Sequence, residues 1–338
     1  EPARNTTAAT WGGLIMSSNV ATISLATNHR PEPNYCLNCI ELGQFLELDI
    51  PPNEHLLAPW LFARSINMIY AKRGVGKTHV GLGIAYAVGT GTTFLKWKAP
   101  KPAKVLYLDG EMSSATLQQR LRGINADQIA QNDFLKNVRI YTPDQQNDRI
   151  VDISDPKWHP ALQDAIGDAE LVIVDNLSCL ARSSGNENEA ESWLPLQDWG
   201  LKQRRLGKAV IFMHHAGKGG QQRGTSRKED ILNVTINLRQ PTDYSAESGA
   251  FFEVRFEKGR ECYGDDTKPF EAQLHQIEGR STWNLRDVEA AITEKVLELT
   301  SFRMKPDEIA QELSISRSSV YRHLKEGKRS GHRRPSNI

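Results

Sequence analysis

Ile66-Asn67-Met68-Ile69-Tyr70-Ala71-Lys72-Arg73-Gly74-Val75-Gly76-Lys77-Thr78 decides how this chain is read. An apolar run of strand length, Ile66–Tyr70, enters a glycine-bearing loop that opens into a helical pattern over 77–89. The loop fits the phosphate-binding pattern G-x-x-x-x-G-K-[ST], except that Ala71 stands where the first glycine belongs. Glycines let backbone N–H groups curl around phosphate oxygens, and the helix N-terminus behind them adds a favourable dipole. The pattern predicts a nucleotide held by Ala71, Arg73, Gly74, Val75, Gly76, Lys77, Thr78 and His79, with Lys77 on the β- and γ-phosphates and the Thr78 hydroxyl on Mg²⁺.

Outward from this loop, apolar runs of strand length alternate with helical patterns. Strands are expected at Ile66–Tyr70, Lys104–Leu108, Val138–Tyr141, Leu171–Val174 and Ala209–Met213, and helices over 77–89, 114–124, 160–167 and 190–206. Continuous apolar strands are those buried on both faces, so the region predicts an α/β fold with a mostly parallel sheet covered by helices. After residue 230 the pattern becomes Ile231–Leu238, Phe251–Glu257 and Phe270–Ile277 without intervening helices, which reads as an antiparallel extension of the same sheet. A linker is expected near 279–289, giving an N-terminal lead with a short helix over 40–50 (1–54), a main domain (55–280) and a helical C-terminal region (290–338).

A phosphate-binding site of this kind needs a carboxylate for its metal at the end of a neighbouring strand. Leu171-Val172-Ile173-Val174-Asp175 supplies it, so Thr78 and Asp175 are the expected Mg²⁺ residues. Hydrolysis also needs a group to activate water. Val105-Leu106-Tyr107-Leu108-Asp109-Gly110-Glu111 offers two carboxylates beyond another strand; Glu111 is the choice, because Gly110 frees the backbone to turn the side chain inward, and Asp109 is its competitor.

Leu108–Met112, Val174–Ser178 and His214-His215-Ala216-Gly217-Lys218-Gly219-Gly220, taken with the loop, resemble the RecA-like ATPases. Within them the chain is most similar to the RepA-type hexameric helicases of broad-host-range plasmids, relatives of the DnaB ring helicases, over roughly residues 55–278. That resemblance implies ATP as substrate, Glu111 as the catalytic glutamate, and His214 or His215 as a γ-phosphate sensor that passes nucleotide state to DNA-binding loops. It implies that Lys218 and Arg223, in the glycine-rich stretch 217–224, contact single-stranded DNA. It further implies that Lys258 and Arg260 form a finger lent to a neighbouring subunit's site, in a head-to-tail homo-oligomer, a hexameric ring.

Residues 292–325 read as three short helices outside that resemblance, and Asp307–Leu324 resembles a bacterial helix-turn-helix. Its second helix would offer Arg317, Ser318 and Arg322 to duplex DNA. From Arg317 to Arg334 there are seven Lys/Arg and one acid, Glu326, which fits a local polyanion contact although the whole chain carries a net charge of only +1. This module departs from the minimal plasmid helicase. It leaves open a duplex-binding, ATP-dependent regulator or recombination mediator, and, from another class, a nucleotide-switched protein scaffold.

Composition sets the outer limits. With 338 residues, 39% hydrophobic and 25% charged, the chain reads as globular, and no apolar run reaches the roughly 18 residues of a membrane span. A cytoplasmic enzyme is expected, and the opening Glu1 suggests a fragment or processed form. Four cysteines make no disulfide framework; Cys36 and Cys39 form a C-x-x-C pair without the partners that a zinc site requires.

Overall fold

The computed structural model describes residues 37–125, 136–147, 149–184, 191–217, 230–241 and 244–329. Cys36, Lys218, Arg223 and the tail beyond Arg329 lie outside the described residues.

The chain divides into residues 1–51 and 52–338. In the first unit the helix expected over 40–50 is a single turn, α1 (Leu42–Leu46), and its apolar positions Ile40, Phe45, Leu46 and Ile50 are exposed. A helix this short has little intrinsic stability in water, and here no apolar face is buried to extend it.

The second unit begins with two small antiparallel ribbons, one before and one after the phosphate loop in the sequence. They are β1 (His55–Leu57) with β2 (Leu61–Phe62), and, beyond β3 (Ile66–Ala71) and α2 (Lys77–Thr90), β4 (Thr93–Phe94) with β5 (Trp97–Lys98). There follow β6 (Val105–Asp109), α3 (Ser114–Ile124), β7 (Val138–Tyr141), α4 (His159–Ile166), β8 (Leu171–Asp175), α5 (Leu177–Leu180), α6 (Leu194–Arg205), β9 (Ala209–His215) and β10 (Val234–Arg239). The antiparallel strands β11 (Phe251–Gly259), β12 (Phe270–Ile277) and β13 (Arg280–Asp287) lead to α7 (Val288–Ser301), α8 (Pro306–Glu312) and α9 (Arg317–Arg329).

One nine-stranded sheet has the order β13-β12-β11-β10-β3-β9-β8-β6-β7. From β10 to β7 every pairing is parallel, and β11 to β13 extend the sheet antiparallel beside β10. The alternation of β8 shows why its sequence is an unbroken apolar run. Leu171 and Ile173 enter the core on one face of the sheet with α2, while Val172 and Val174 enter the core on the other face with Leu162, Leu196 and Trp199. Both faces are dry, so both sets of side chains must be apolar. Helix α2 is buried nearly all round, as expected of a helix enclosed by the fold.

The expected linker near 279–289 is instead strand. Glu278 (φ 49°) and Gly279 (φ 79°) form a two-residue turn with left-handed φ at both positions, and Ile277 pairs with Arg280 across it. Asp287 then ends β13 and caps α7, accepting from Glu289 N at 2.9 Å, so sheet and helix meet without a spacer. The sheet region therefore runs to Asp287 rather than to residue 280. Beyond it, α7, α8 and α9 share a small core of Val296, Ile309 and Val320. No helix among the described residues is long and apolar enough to cross a membrane.

Candidate active site

Parallel strands bring their C-terminal ends to one edge, and there the chemistry collects. Ala71 of β3 pairs with His215 of β9, and Asp109 of β6 with Asp175 of β8. The loops leaving this edge enclose a cavity of about 430 Å³, lined by Arg73, Gly74, Gly76, Lys77, Thr78, His79, Asp109, Glu111, Met112, Arg120, Asp175, Asn176, His215 and Ala250.

The phosphate loop owes its shape to Gly74 (φ 79°) and Gly76 (φ 118°), both in the left-handed region closed to most side chains. A Cβ on Gly76 would also lie 3.0 Å from Ala250 Cβ. Ala71, the departure from the pattern, is accommodated because it is not in the loop: it is the last, fully buried residue of β3, paired with both Leu238 and His215. Val75 is buried in the core rather than facing the cavity.

Lys77 Nζ donates to Ala71 O at 3.3 Å and Lys72 O at 3.4 Å, and lies 3.1 Å from His215 Nδ1. Burial pulls its pKa down, while Asp175 and Glu111 oppose that pull. Asp175 is 3% exposed; burial raises its pKa, against hydrogen bonds from Tyr107 and Thr78 and the charge of Lys77. Tyr107 Oη donates to Asp175 Oδ2 at 2.6 Å, and burial first, then Asp175, drive the phenol's pKa upward. Asp109 is pushed up to about 6 by burial, against the backbone hydrogen bond it accepts from Met112 N at 2.9 Å. His79 is pushed down to about 4, by burial and then by the charge of Arg120.

Glu111 stands in the loop before α3, whose N-cap is Ser113, so it is free of the helix and reaches the cavity. Asn176 Nδ2 donates to Glu111 Oε2 at 2.6 Å and fixes its carboxylate. Gly110 serves a different purpose from the backbone freedom expected of it. A Cβ there would sit 2.8 Å from Leu180 Cγ and 2.9 Å from Cys179 Cβ, so the glycine lets α5 approach the Glu111 loop.

The two histidines separate by strand alternation. His214 is 1% exposed and buried, whereas His215 lines the cavity. Lys258 and Arg260 are not brought to this site. Strand β11 runs antiparallel, Gly259 pairs with Val234, and Val234 pairs in turn with Asn67, at the beginning of β3. Arg260 N donates to Asn233 O at 3.0 Å, and its guanidinium donates to Asp230 O. At about 3.3 Å per residue along β3, this is about 16 Å from the phosphate loop. On α9, Arg317, Ser318 and Arg322 are exposed; Arg317 pairs with Asp307 at 3.2 Å and Arg322 with Glu289 at 3.2 Å.

Tyr107, Met112, Arg120 and Asn176 were not singled out by sequence. Tyr107 did carry a signal: it lies two residues before Asp109 in an apolar strand, hence on the same face.

The glycine geometry, the buried Lys77 and the Thr78–Asp175 contact fit a nucleotide phosphate chain with a divalent ion beside it. A family profile described as an AAA domain matches residues 33–221, more than half of the 338-residue chain. The chain belongs to the AAA-domain family. This AAA-domain protein is a P-loop ATPase with the mostly parallel α/β sheet of a RecA-like core. Its fold is also similar to the KaiC-like protein PH0186 from Pyrococcus horikoshii OT3, at 12% identity and a TM-score of 0.48, over 68% of this chain and 93% of that one. It is similar too to the flagellar accessory protein FlaH from Methanocaldococcus jannaschii, at 12% identity and a TM-score of 0.45, over 66% and 90%. At that identity neither likeness carries a substrate or partner across to this AAA-domain ATPase.

Proposed function

We propose that this ATPase is a ring-forming motor on single-stranded DNA, a replicative helicase of a plasmid or another mobile element, hydrolysing ATP with Mg²⁺. The observation that carries the reading is the meeting of Lys77, Thr78, Glu111, Asp175 and His215 around one cavity at the sheet edge. In this reading Gly74, Gly76 and Lys77 bind the phosphates, and Thr78 and Asp175 hold the metal. The ion, when bound, neutralises charge on the β- and γ-oxygens. Glu111, oriented by Asn176, accepts a proton from the attacking water. His215 touches Lys77 and precedes the basic stretch containing Lys218 and Arg223 by only a few residues, which suits a sensor coupled to a DNA-contacting loop.

Arg260 lies at the opposite sheet edge, too far away to serve its own cavity. A finger role therefore demands a second copy, stacked head to tail. Six subunits, DNA as track, and ATP rather than another nucleotide rest on the resemblance to the RepA-type helicases.

The test is steady-state ATP hydrolysis by the wild type and Lys77→Ala, alone, with a single-stranded oligonucleotide and with a duplex. Strong stimulation by the single strand, lost in Lys77→Ala, is the expected result. No response to either DNA would overturn the motor reading. Stimulation by duplex alone would favour a second reading, an ATP-dependent DNA-binding regulator or replication-initiation mediator. The exposed Arg317 and Ser318 on α9 support that alternative.

A further inference from the structure

The C-terminal helices bring together polar side chains that the nucleotide site does not use. Helices α7 and α9 lie close because Gly327 has no side chain: a Cβ there would sit 2.7 Å from Leu297 Cδ1. The approach sets Glu289, in the first turn of α7, beside His323 and Glu326, which share one face of α9 by their i, i+3 spacing. One ligand atom from each of the three lies within 4.8 Å of the others.

His323 is 1% exposed, and its hydrogen bonds decide which nitrogen is open to an ion. Thr293 Oγ1 gives its one proton to Glu289 O at 2.8 Å, so towards His323 Nδ1, at 2.9 Å, it can only accept. The neutral ring therefore carries its proton on Nδ1 and its lone pair on Nε2. Metal-ligating histidines are usually held in this way, with the second nitrogen donating to a fixed oxygen. Nε2 lies 3.7 Å from Glu289 Oε2. Two ligands at about 2.1 Å from a tetrahedral ion are separated by about 3.4 Å, so little movement is needed. Glu326 Oε2, 3.6 Å from Nδ1, adds the second carboxylate.

A cation already stands at this point. Arg322 Nη2 is 3.2 Å from Glu289 Oε2 and 3.4 Å from His323 Nε2. Its side chain is more than half exposed, and an ion pair of that kind contributes little, so its displacement costs little. A divalent ion would satisfy the imidazole lone pair and both carboxylates at once. Imidazole with carboxylate suits Zn²⁺, Co²⁺ or Ni²⁺, whereas Mg²⁺ keeps to oxygen ligands.

We propose that Glu289, His323 and Glu326 form a site for a divalent transition ion of the zinc class, which displaces the Arg322 guanidinium and ties α7 to α9. The site is separate from Thr78 and Asp175 and does not depend on the nucleotide reading. Filling it releases Arg322, one of the residues that the duplex-binding alternative assigns to DNA.

The test is calorimetric titration of Zn²⁺, without nucleotide, into the untagged full chain carrying Cys36→Ser and Cys39→Ser, so that the thiol pair does not compete. Saturable binding and a raised thermal midpoint are expected. Glu289→Gln and Glu326→Gln should each weaken Zn²⁺ about 10–100-fold, at least the loss usual for a residue that supports a metal site. His323→Gln should abolish binding; should that variant fold poorly, the two substitutions at exposed glutamates decide the matter. Arg322→Ala should bind Zn²⁺ several-fold more tightly, because its competitor is gone, an effect that a merely structural ion pair would not produce. No saturable binding overturns the proposal, and so does unchanged affinity in either glutamine variant, which would place the ion elsewhere. Unchanged affinity in Arg322→Ala overturns the displacement.

Discussion

The two edges of the central sheet differ in how they treat charge. At the C-terminal edge of the parallel strands, Lys77, Asp109 and Asp175 are buried and each shifts its neighbours' protonation. At the opposite edge Arg260 is exposed, and its guanidinium donates to the backbone carbonyl of Asp230. Buried charges are fixed by one another and are sensitive to any loss; an exposed one contributes little to its own fold and is available to another molecule. The first edge is built as a site, and the second leaves a guanidinium exposed to solvent.

Four predictions break or sharpen that contrast. The largest effect is expected from Arg260→Ala. If its guanidinium completes a neighbour's site, turnover in the assembled protein falls about 10³-fold or more. The thermal midpoint should stay within about 0.5 kcal/mol of wild type in stability, as for a surface substitution. Unchanged turnover would make the edge merely solvated.

Glu111→Gln keeps the shape of the cavity edge but removes the base that the proposed function assigns there. Turnover should fall about 10²–10⁴-fold with ATP affinity retained, as read by single-turnover kinetics beside equilibrium binding. Weakened affinity in step with turnover would instead assign Glu111 to binding.

The third prediction concerns pH, and the signs are opposed. Asp109, with its pKa raised to about 6, favours the folded state more as pH falls from about 6 towards the ordinary carboxylate range. His79, depressed to about 4 from 6.5, costs stability as pH falls across that window, because the unfolded chain takes up the proton first. Asp109→Asn should therefore steepen the acid-side loss of stability, and His79→Gln should flatten or reverse it. Denaturant midpoints between pH 4 and 7 check both; identical profiles in both variants and the wild type would contradict the assigned environments.

The smallest effect is expected at Arg317. Its pair with Asp307 is 60% and 65% exposed, so Arg317→Ala should leave the thermal midpoint close to that of the wild type. If α9 follows duplex phosphates, the same change should lower the salt dependence of duplex binding by about one unit of slope. An unchanged slope would remove Arg317 from the interface.

The buried edge was the legible one. Leu171–Val174 and Ala209–Met213 read as strands because both sheet faces are dry; Asp175 stands directly after such a run, and Glu111 three residues after Leu108 ends another. Strand β13 was not legible: Arg280-Ser281-Thr282-Trp283-Asn284-Leu285-Arg286-Asp287 is an edge strand, half exposed and polar at alternate positions, which imitates a linker. The turn at Glu278-Gly279 was its available signal. Arg120 lay hidden for a different reason. A single arginine in a helix normally reads as solvated, and only the packing of Leu117 and Leu121 shows that it faces inward. The choice between His214 and His215 likewise needed the strand's register.

Whether the two edges meet across copies is tested most directly by mixing two inactive variants, Lys77→Ala and Arg260→Ala, and measuring ATP hydrolysis with single-stranded DNA. In a head-to-tail assembly some junctions pair the intact Lys77 site of one variant with the intact Arg260 of the other. The mixture should then regain activity that neither variant has alone. Co-assembly shown by differently tagged subunits, with no recovered turnover, would contradict the account.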